Sequence, residues 1–327
     1  MYINNTLISF KEDLSYLDKF LAEFKLNKIF LVIDENVYNL YQNDIAKYFP
    51  ESEKVVIKSG ESYKTIETVC YIAKELLEKN ITRGDYIIGL GGGVTLDITG
   101  FVASILYRGI KHLMIPTTLL ADVDATIGGK CGVDFYDRKN ILGSFYEPKG
   151  IYISPYFLKT LPRVELNSGL GEVIKYAFLD NNFKLLDYDD LISIIKECIL
   201  IKKKYVEADF KDTGLRMCLN FGHTFGHAIE LKHNLHHGLA VLEGIYMILS
   251  LEEDLGLNVT KEKEYFKNLL LKFNLSLTKY DYKLYLDDIF NDKKNFNGNL
   301  KLVFVKDFKP YLYETTKGEL YDKISSR

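Results

Sequence analysis

The chain has 327 residues, 47% of them hydrophobic, a length that suits two domains better than one because single cores stop growing near this size. A formal net charge of -3 excludes a global basic field for nucleic acid or an anionic membrane, so any anion must be handled locally. Four scattered cysteines without a CxxC pair exclude a disulfide framework and a cysteine-held zinc, and no uncharged stretch reaches the roughly 18 residues that span a bilayer.

The first half alternates β-branched runs with amphipathic helices. Lys28–Asp34 reads as a buried strand, Asn36–Tyr48 as a helix and Lys54–Lys58 as a second strand. Helix Thr65–Lys79 places Val69, Ile72, Ala73, Leu76 and Leu77 on one face, and Asp85–Leu90 is a further strand running into Gly91-Gly92-Gly93. His112–Ile115 is the next strand. Such alternation argues for a parallel sheet covered by helices on both sides. After about Leu161 the pattern turns helical: Glu165–Leu179, Leu191–Asp209, Leu215–Leu231, Leu239–Leu255 and Lys261–Phe273. In that half only Lys301–Val305, after the Asn297-Gly298 turn, reads as a strand. The boundary falls near Leu158–Pro162. The N-terminal stretch Met-Tyr-Ile-Asn-Asn lacks a charged-then-apolar leader, which makes a cytoplasmic location the expectation.

The chemistry-bearing groups follow this order. Gly92, Gly93 and Val94 sit between a strand and a helix, where glycine lets the backbone approach a phosphate and the helix start offers unpaired N–H groups. Thr117 and Thr118 add hydroxyls at the carboxyl end of the sheet, the edge where open α/β sheets bind ligands, and either could simply cap the next helix. Arg108, Lys130 and Lys139 lie near glycines and suit a phosphate as a group. Five of six histidines fall between positions 223 and 237. His223 and His227 share one helical face at i, i+4, and His237 opens another helix, a crowding typical of a metal site that the carboxylate of Glu172 would complete.

Together these segments resemble the 3-dehydroquinate synthase family of sugar-phosphate cyclases over nearly the whole chain. The family's motifs stand in order as Ser59–Lys64, GGGVTLDITGFVAS (Gly91–Ser104), PTTLLADVDATIGGK (Pro116–Lys130) and LNSGLGEVIKYA (Leu166–Ala177). LNFGHTFGHAIE (Leu219–Glu230), HGLAV (His237–Val241) and DKKNFNGNLKLV (Asp292–Val303) complete them. The resemblance implies an α/β, doubly wound, mainly parallel dinucleotide-binding domain over residues 1–160, and a mainly α-helical metal- and substrate-binding domain over 161–327. It implies zinc, with cobalt as an alternative, on Glu172, His223 and His237. NAD would contact Asp34, Asn36, Glu61, Lys64, Gly92, Gly93, Val94, Asp97, Thr117, Thr118, Leu120, Lys130, Lys139, Phe157, Thr160, Leu161 and Glu165. Substrate and catalytic groups would be Arg108, Asp124, Lys130, Lys139, Asn140, Lys175, Lys202, Arg216, Asn220, His227 and one of Lys293 or Lys294.

The implied reaction converts 3-deoxy-D-arabino-heptulosonate 7-phosphate to 3-dehydroquinate and phosphate, in a homodimer whose Arg108 reaches the partner's phosphate pocket. A metal- and NAD-dependent polyol dehydrogenase is the rival reading, but a polyol needs no pocket of Lys130, Lys139, Asn140, Lys175 and Arg216. A cyclase for another sugar phosphate is the second, and Arg216 favours a carboxylated substrate over it. A fold-retaining scaffold protein is the third, against which stands the full set of metal ligands. The chain departs from the family at Leu96 (usually glycine), Arg138, Asp134, Cys131 and Ser154-Pro155, and in a short link from Glu230 to His237.

Overall fold

Apolar runs in the first half form the strands of one sheet. The structure, a computed structural model, describes residues 1–136, 138–291 and 299–326. It divides into two units, Met1–Leu161 and Pro162–Arg327. In chain order the first unit holds β1 (Tyr2–Ile3), β2 (Thr6–Phe10), α1 (Leu17–Ala22), β3 (Ile29–Asp34), α2 (Glu35–Leu40), α3 (Gln42–Tyr48) and β4 (Glu53–Ile57). There follow α4 (Ile66–Glu78), β5 (Tyr86–Gly91), α5 (Gly93–Ile105), β6 (Lys111–Pro116), the hairpin β7 (Lys130–Phe135) and β8 (Arg138–Phe145), and β9 (Gly150–Ile153).

The seven-stranded sheet runs β1-β2-β9-β6-β5-β3-β4, parallel at every pairing except β1 with β2. Its strands are apolar on both faces because both are covered. Leu31, Ile33, Ile88 and Leu90 pack into one cluster, while Phe30, Val32, Val55, Ile57 and Ile87 pack into the other. The chain steps from β3 to β4 in one direction and from β5 to β6 in the other, so strand order reverses between β3 and β5. The carboxyl ends of these two strands are Asp34 and Gly91. Ligands of open α/β sheets bind at that reversal.

One expected helix is two. Asn36–Tyr48 breaks at Tyr41 (φ -121°, ψ 28°). There the side chain turns into the core and its hydroxyl donates to the Phe157 carbonyl at 3.2 Å.

The second unit contains α6 (Arg163–Tyr176), α7 (Leu191–Ala208), α8 (His223–His233), α9 (His237–Asp254), α10 (Thr260–Lys272), α11 (Leu286–Asn291), β10 (Asn299–Lys306), β11 (Lys309–Thr316) and α12 (Lys317–Ser325). The expected helix Leu215–Leu231 is corrected to a 3-10 turn, Leu215–Asn220, followed by α8. Gly222 stands between them at φ 78°, a left-handed conformation that no right-handed helix accommodates. The strand at Lys301–Val305 is half of a hairpin closed by Asp307 and Phe308, both at positive φ (49° and 58°). Asn297 and Gly298 lie outside the described residues. Among the described residues no helix is long and apolar enough to cross a membrane.

Candidate active site

In the second unit, three helices touch backbone to backbone at glycines. A Cβ on Gly171 of α6 would lie 2.1 Å from the Gly238 carbonyl oxygen of α9, and one on Gly244 of α9 only 1.9 Å from that of Gly222. No side chain fits at either point. The close approach delivers Glu172, the neighbour of Gly171, to the first turn of α9, where His237 sits, while Gly222 starts α8 at His223.

Three donors converge as a result. Glu172 Oε1 lies 3.5 Å from His223 Nε2 and 3.4 Å from His237 Nε2. One ligand atom from each of the three falls within 4.8 Å of the others. The remaining ring nitrogens are occupied: His223 Nδ1 is 3.2 Å from the Phe221 carbonyl oxygen, and His237 Nδ1 is 2.9 Å from Glu230 Oε2. Nδ1–H donation to these acceptors would leave both Nε2 atoms to a bound ion, which would take the place of the proton that His237 Nε2 shares with Glu172. Two oriented imidazoles and one buried carboxylate fit a zinc-type ion with coordination positions to spare.

The two imidazoles are driven in opposite directions. Burial pushes His223 down to about 3, with Glu172 opposing and Lys175 and the other histidines assisting. Burial also works against charge on His237, but hydrogen bonds to Glu172 and Glu230 and both negative charges outweigh it and raise this group to about 10.

Of the expected substrate groups of this unit, Lys175 and His227 lie at the cluster. Lys175 is buried, ion-paired with Glu172, and its Nζ lies 4.8 Å from the Tyr176 ring centroid. Lys202 and Arg216 are buried too, and the Arg216 guanidinium donates to the Phe210 carbonyl at 2.7 Å. His227 is exposed, its ring 5.4 Å from that of His223 and 5.8 Å from that of His237. Asn220 is exposed. Glu165 pairs with His236 at 3.2 Å. Lys293 and Lys294 lie outside the described residues. Glu230 is the residue that spacing did not flag. Its signal was its place three residues after His227 and seven after His223, on the same face of α8.

In the first unit the glycine-led turn meets a buried lysine. Gly92 precedes α5 and no side chain caps that helix, so its first N–H groups remain available to an anion. Lys64, buried, donates to Asp97 Oδ2 and to Asn140 Oδ1, both at 2.6 Å. Burial opposes its charge, but Asp97 and Glu61 prevail and hold the ammonium above its ordinary range. Lys139 lies 3.8 Å from Glu61, and Asp134 accepts the Asn140 N–H at 2.7 Å. Asp34 caps α2 by accepting from Asn36 and Val37, and it also accepts from the Ser59 hydroxyl at 2.7 Å.

Thr117 N–H donates to the Gly91 carbonyl at 3.0 Å, and the Thr118 hydroxyl accepts from Ala121 at 3.2 Å, the capping role foreseen for it. Leu120 leads into the helical turn Ala121–Ala125 that carries Asp124, and Val94 packs partly buried against the core. Phe157 is buried, the Thr160 hydroxyl bonds Tyr41 at 2.7 Å, and Leu161 ends the unit. Arg108 (φ 64°) and Lys130 are exposed. Leu96 is fully buried, and Gly89 makes room for it: a Cβ there would meet Leu96 Cδ2 at 3.0 Å.

Family models described as 3-dehydroquinate synthase N-terminal and 3-dehydroquinate synthase C-terminal match residues 54–168 and 169–295. A 3-dehydroquinate synthase of Clostridium tetani is 39% identical across 98% of this chain and 92% of its own. Among solved structures, 2-epi-5-epi-valiolone synthase from Streptomyces hygroscopicus subsp. jinggangensis 5008, with NAD+ and Zn2+ bound, matches with a TM-score of 0.85 at 23% identity, covering 98% of this chain and 96% of that one. A 2-deoxy-scyllo-inosose synthase complexed with carbaglucose-6-phosphate, NAD+ and Co2+ matches at TM-score 0.81 and 23% identity, with the same coverage. At that identity the structural likeness speaks for the fold.

Proposed function

The chain belongs to the 3-dehydroquinate synthase family, and on that premise we propose that it turns 3-deoxy-D-arabino-heptulosonate 7-phosphate into 3-dehydroquinate and phosphate. The observation that carries this is the convergence of Glu172 Oε1 on the Nε2 atoms of His223 and His237, with both Nδ1 atoms tied back. These three residues would hold a zinc or cobalt ion. When bound, the ion supplies a Lewis acid toward a secondary alcohol, and NAD supplies a reversible hydride acceptor.

The chain's own groups would do the rest. Lys175, paired with Glu172 and buried, holds positive charge beside the reacting alcohol. His227, exposed beside both ligating imidazoles, carries a proton to or from the substrate. Arg216 and Lys202 suit the carboxylate, the planar guanidinium gripping it bidentately. Arg108, Lys130, Lys139 and one of Lys293 or Lys294 suit the phosphate. With the ketone formed, the neighbouring C–H becomes acidic and phosphate leaves; reduction, ring opening and aldol closure follow.

In the first unit the uncapped start of α5, with Asp34, Asn36, Glu61, Lys64, Asp97, Thr117 and Thr118, would take NAD. Leu120, Phe157, Thr160 and Leu161 would line the same site, and Glu165 remains the NAD contact that the family resemblance implies. The reading includes a cytoplasmic homodimer in which Arg108 serves the partner's phosphate pocket.

The test is redox balance. Incubated with this heptulosonate phosphate, NAD+ and zinc, the enzyme should release phosphate without net NADH absorbance at about 340 nm, because the cofactor is restored within each turnover. One NADH accumulating per substrate consumed would replace this reading with the polyol dehydrogenase.

A further inference from the structure

We infer that Glu230 is a positioning residue of the metal centre, fixing the tautomer and aim of His237; this rests on the reading of Glu172, His223 and His237 as the ligands. The two histidines are oriented by different means. His223 Nδ1 faces a main-chain carbonyl, Phe221 O at 3.2 Å, which the fold itself sets at the left-handed Gly222. His237 Nδ1 faces a side chain, Glu230 Oε2 at 2.9 Å. Among the described residues no other hydrogen bond is given to that nitrogen.

With Nδ1–H donated to Glu230, the ring can offer its Nε2, 3.4 Å from Glu172 Oε1, to an ion that displaces the proton there. The reverse tautomer would turn a hydrogen toward the ligand position. Glu230 itself is well sheltered, its side chain 12% exposed, whereas His237 is 33% exposed and less held by packing. The charge of Glu230 has a second consequence. His237 is the first residue of the 18-residue α9, where the positive end of the helix dipole disfavours added positive charge. An anion beside the ring offsets that field and keeps the imidazole a strong donor.

The same carboxylate also forms a second trio, with one ligand atom each from His227, Glu230 and His237 within 4.8 Å. That trio would need a lone pair from His237, and a ring whose Nε2 serves the first site has only its Nδ1–H left for Glu230. Glu230 therefore orients rather than ligates.

The experiment measures zinc affinity by chelator competition, and stoichiometry by metal analysis, for the parent, Glu230→Gln, Glu230→Ala and His223→Ala. Glu230→Ala should bind one ion 10–100-fold more weakly, the scale for losing such an outer partner. Glu230→Gln, which keeps an acceptor and loses the charge, should fall between it and the parent. NAD affinity and the melting of the metal-free protein should stay at parental values in both. Parental zinc affinity in Glu230→Ala, with zinc lost from His223→Ala, overturns the inference and leaves the metal centre standing. Two ions per parent chain, falling to one in Glu230→Ala, overturns it in favour of a ligand role. Zinc affinity unchanged in every variant, His223→Ala included, removes the metal centre and the inference together.

Discussion

Glu252 gives the fold a pH dependence that can be worked out from its surroundings. It lies on α9, fully buried, and its Oε1 accepts the Val305 N–H of β10 at 2.9 Å. Oε2 has no hydrogen-bond partner among the described residues. Burial, with help from the nearby Glu262 charge and against the Val305 hydrogen bond, pushes this carboxyl from about 4.5 up to about 8. Below pH 4.5 both folded and unfolded chains carry the proton. Between pH 4.5 and 8 the unfolded chain gives it up and the folded one keeps it, so native stability falls as pH rises. The slope is about 1.4 kcal/mol per pH unit, and the whole span amounts to roughly 3–5 kcal/mol. Glu252→Gln keeps an acceptor for Val305 and cannot ionise. Urea unfolding followed by far-UV circular dichroism, since the chain has no tryptophan, should show the variant gaining on the parent by about 2–3 kcal/mol from pH 5 to pH 7.5. A stability difference that stays constant across that range would refute the reasoning.

Two further predictions concern histidines. His112 on β6 is fully buried, neither ring nitrogen has a hydrogen-bond partner among the described residues, and burial pushes it down to about 3. The unfolded chain therefore takes a proton below about pH 6.5 that the fold refuses, and stability is lost as pH falls from there toward 3. His112→Leu should remove this loss and move the acid-unfolding midpoint lower; an unmoved midpoint would argue against it. At the proposed metal site, His223→Ala should lose most zinc and all useful activity, whereas His227→Ala should keep near-stoichiometric zinc while turnover drops by about 10²–10⁴. Metal analysis of the two purified variants decides between them, and zinc lost only from His227→Ala would reverse the assignment.

What the sequence revealed follows from how local each signal is. Strands β3, β5 and β6 are buried on both faces, so each is a continuous apolar run ending in a turn signal, and each was readable. The β7–β8 hairpin was not: β8 is largely exposed, with Arg138, Lys139 and Asn140 at its start. Its pairing with β7 is a long-range fact that no short window contains. The Asp307-Phe308 turn escaped notice because its positive φ values fall on residues that do not advertise them. The histidines of the candidate site were visible as a crowd, and Glu172 as an acid in an apolar stretch. Glu230 was visible only as the end of a motif and the start of a short link, since nothing in a linear reading says that the chain doubles back to present His237 to it. The compensation of Leu96 by Gly89 is likewise a contact between neighbouring elements, invisible until helix and strand are packed.

The glycine contacts among α6, α8 and α9 also bear on how the unit assembles. The three donor residues come from three helices that approach only when backbones seat against one another, so a collapsed chain with helices formed but undocked presents no cluster. An ion able to bind only the seated arrangement favours it by mass action, at about 2.7 kcal/mol for free metal at a hundred times its dissociation constant. Metal supply would then act as a proofreading step in biogenesis, separating finished molecules from near-finished ones. If the proposed site holds an ion, substitution at Gly171, Gly222, Gly238 or Gly244 would register first as failure to retain it, well before helical content changed.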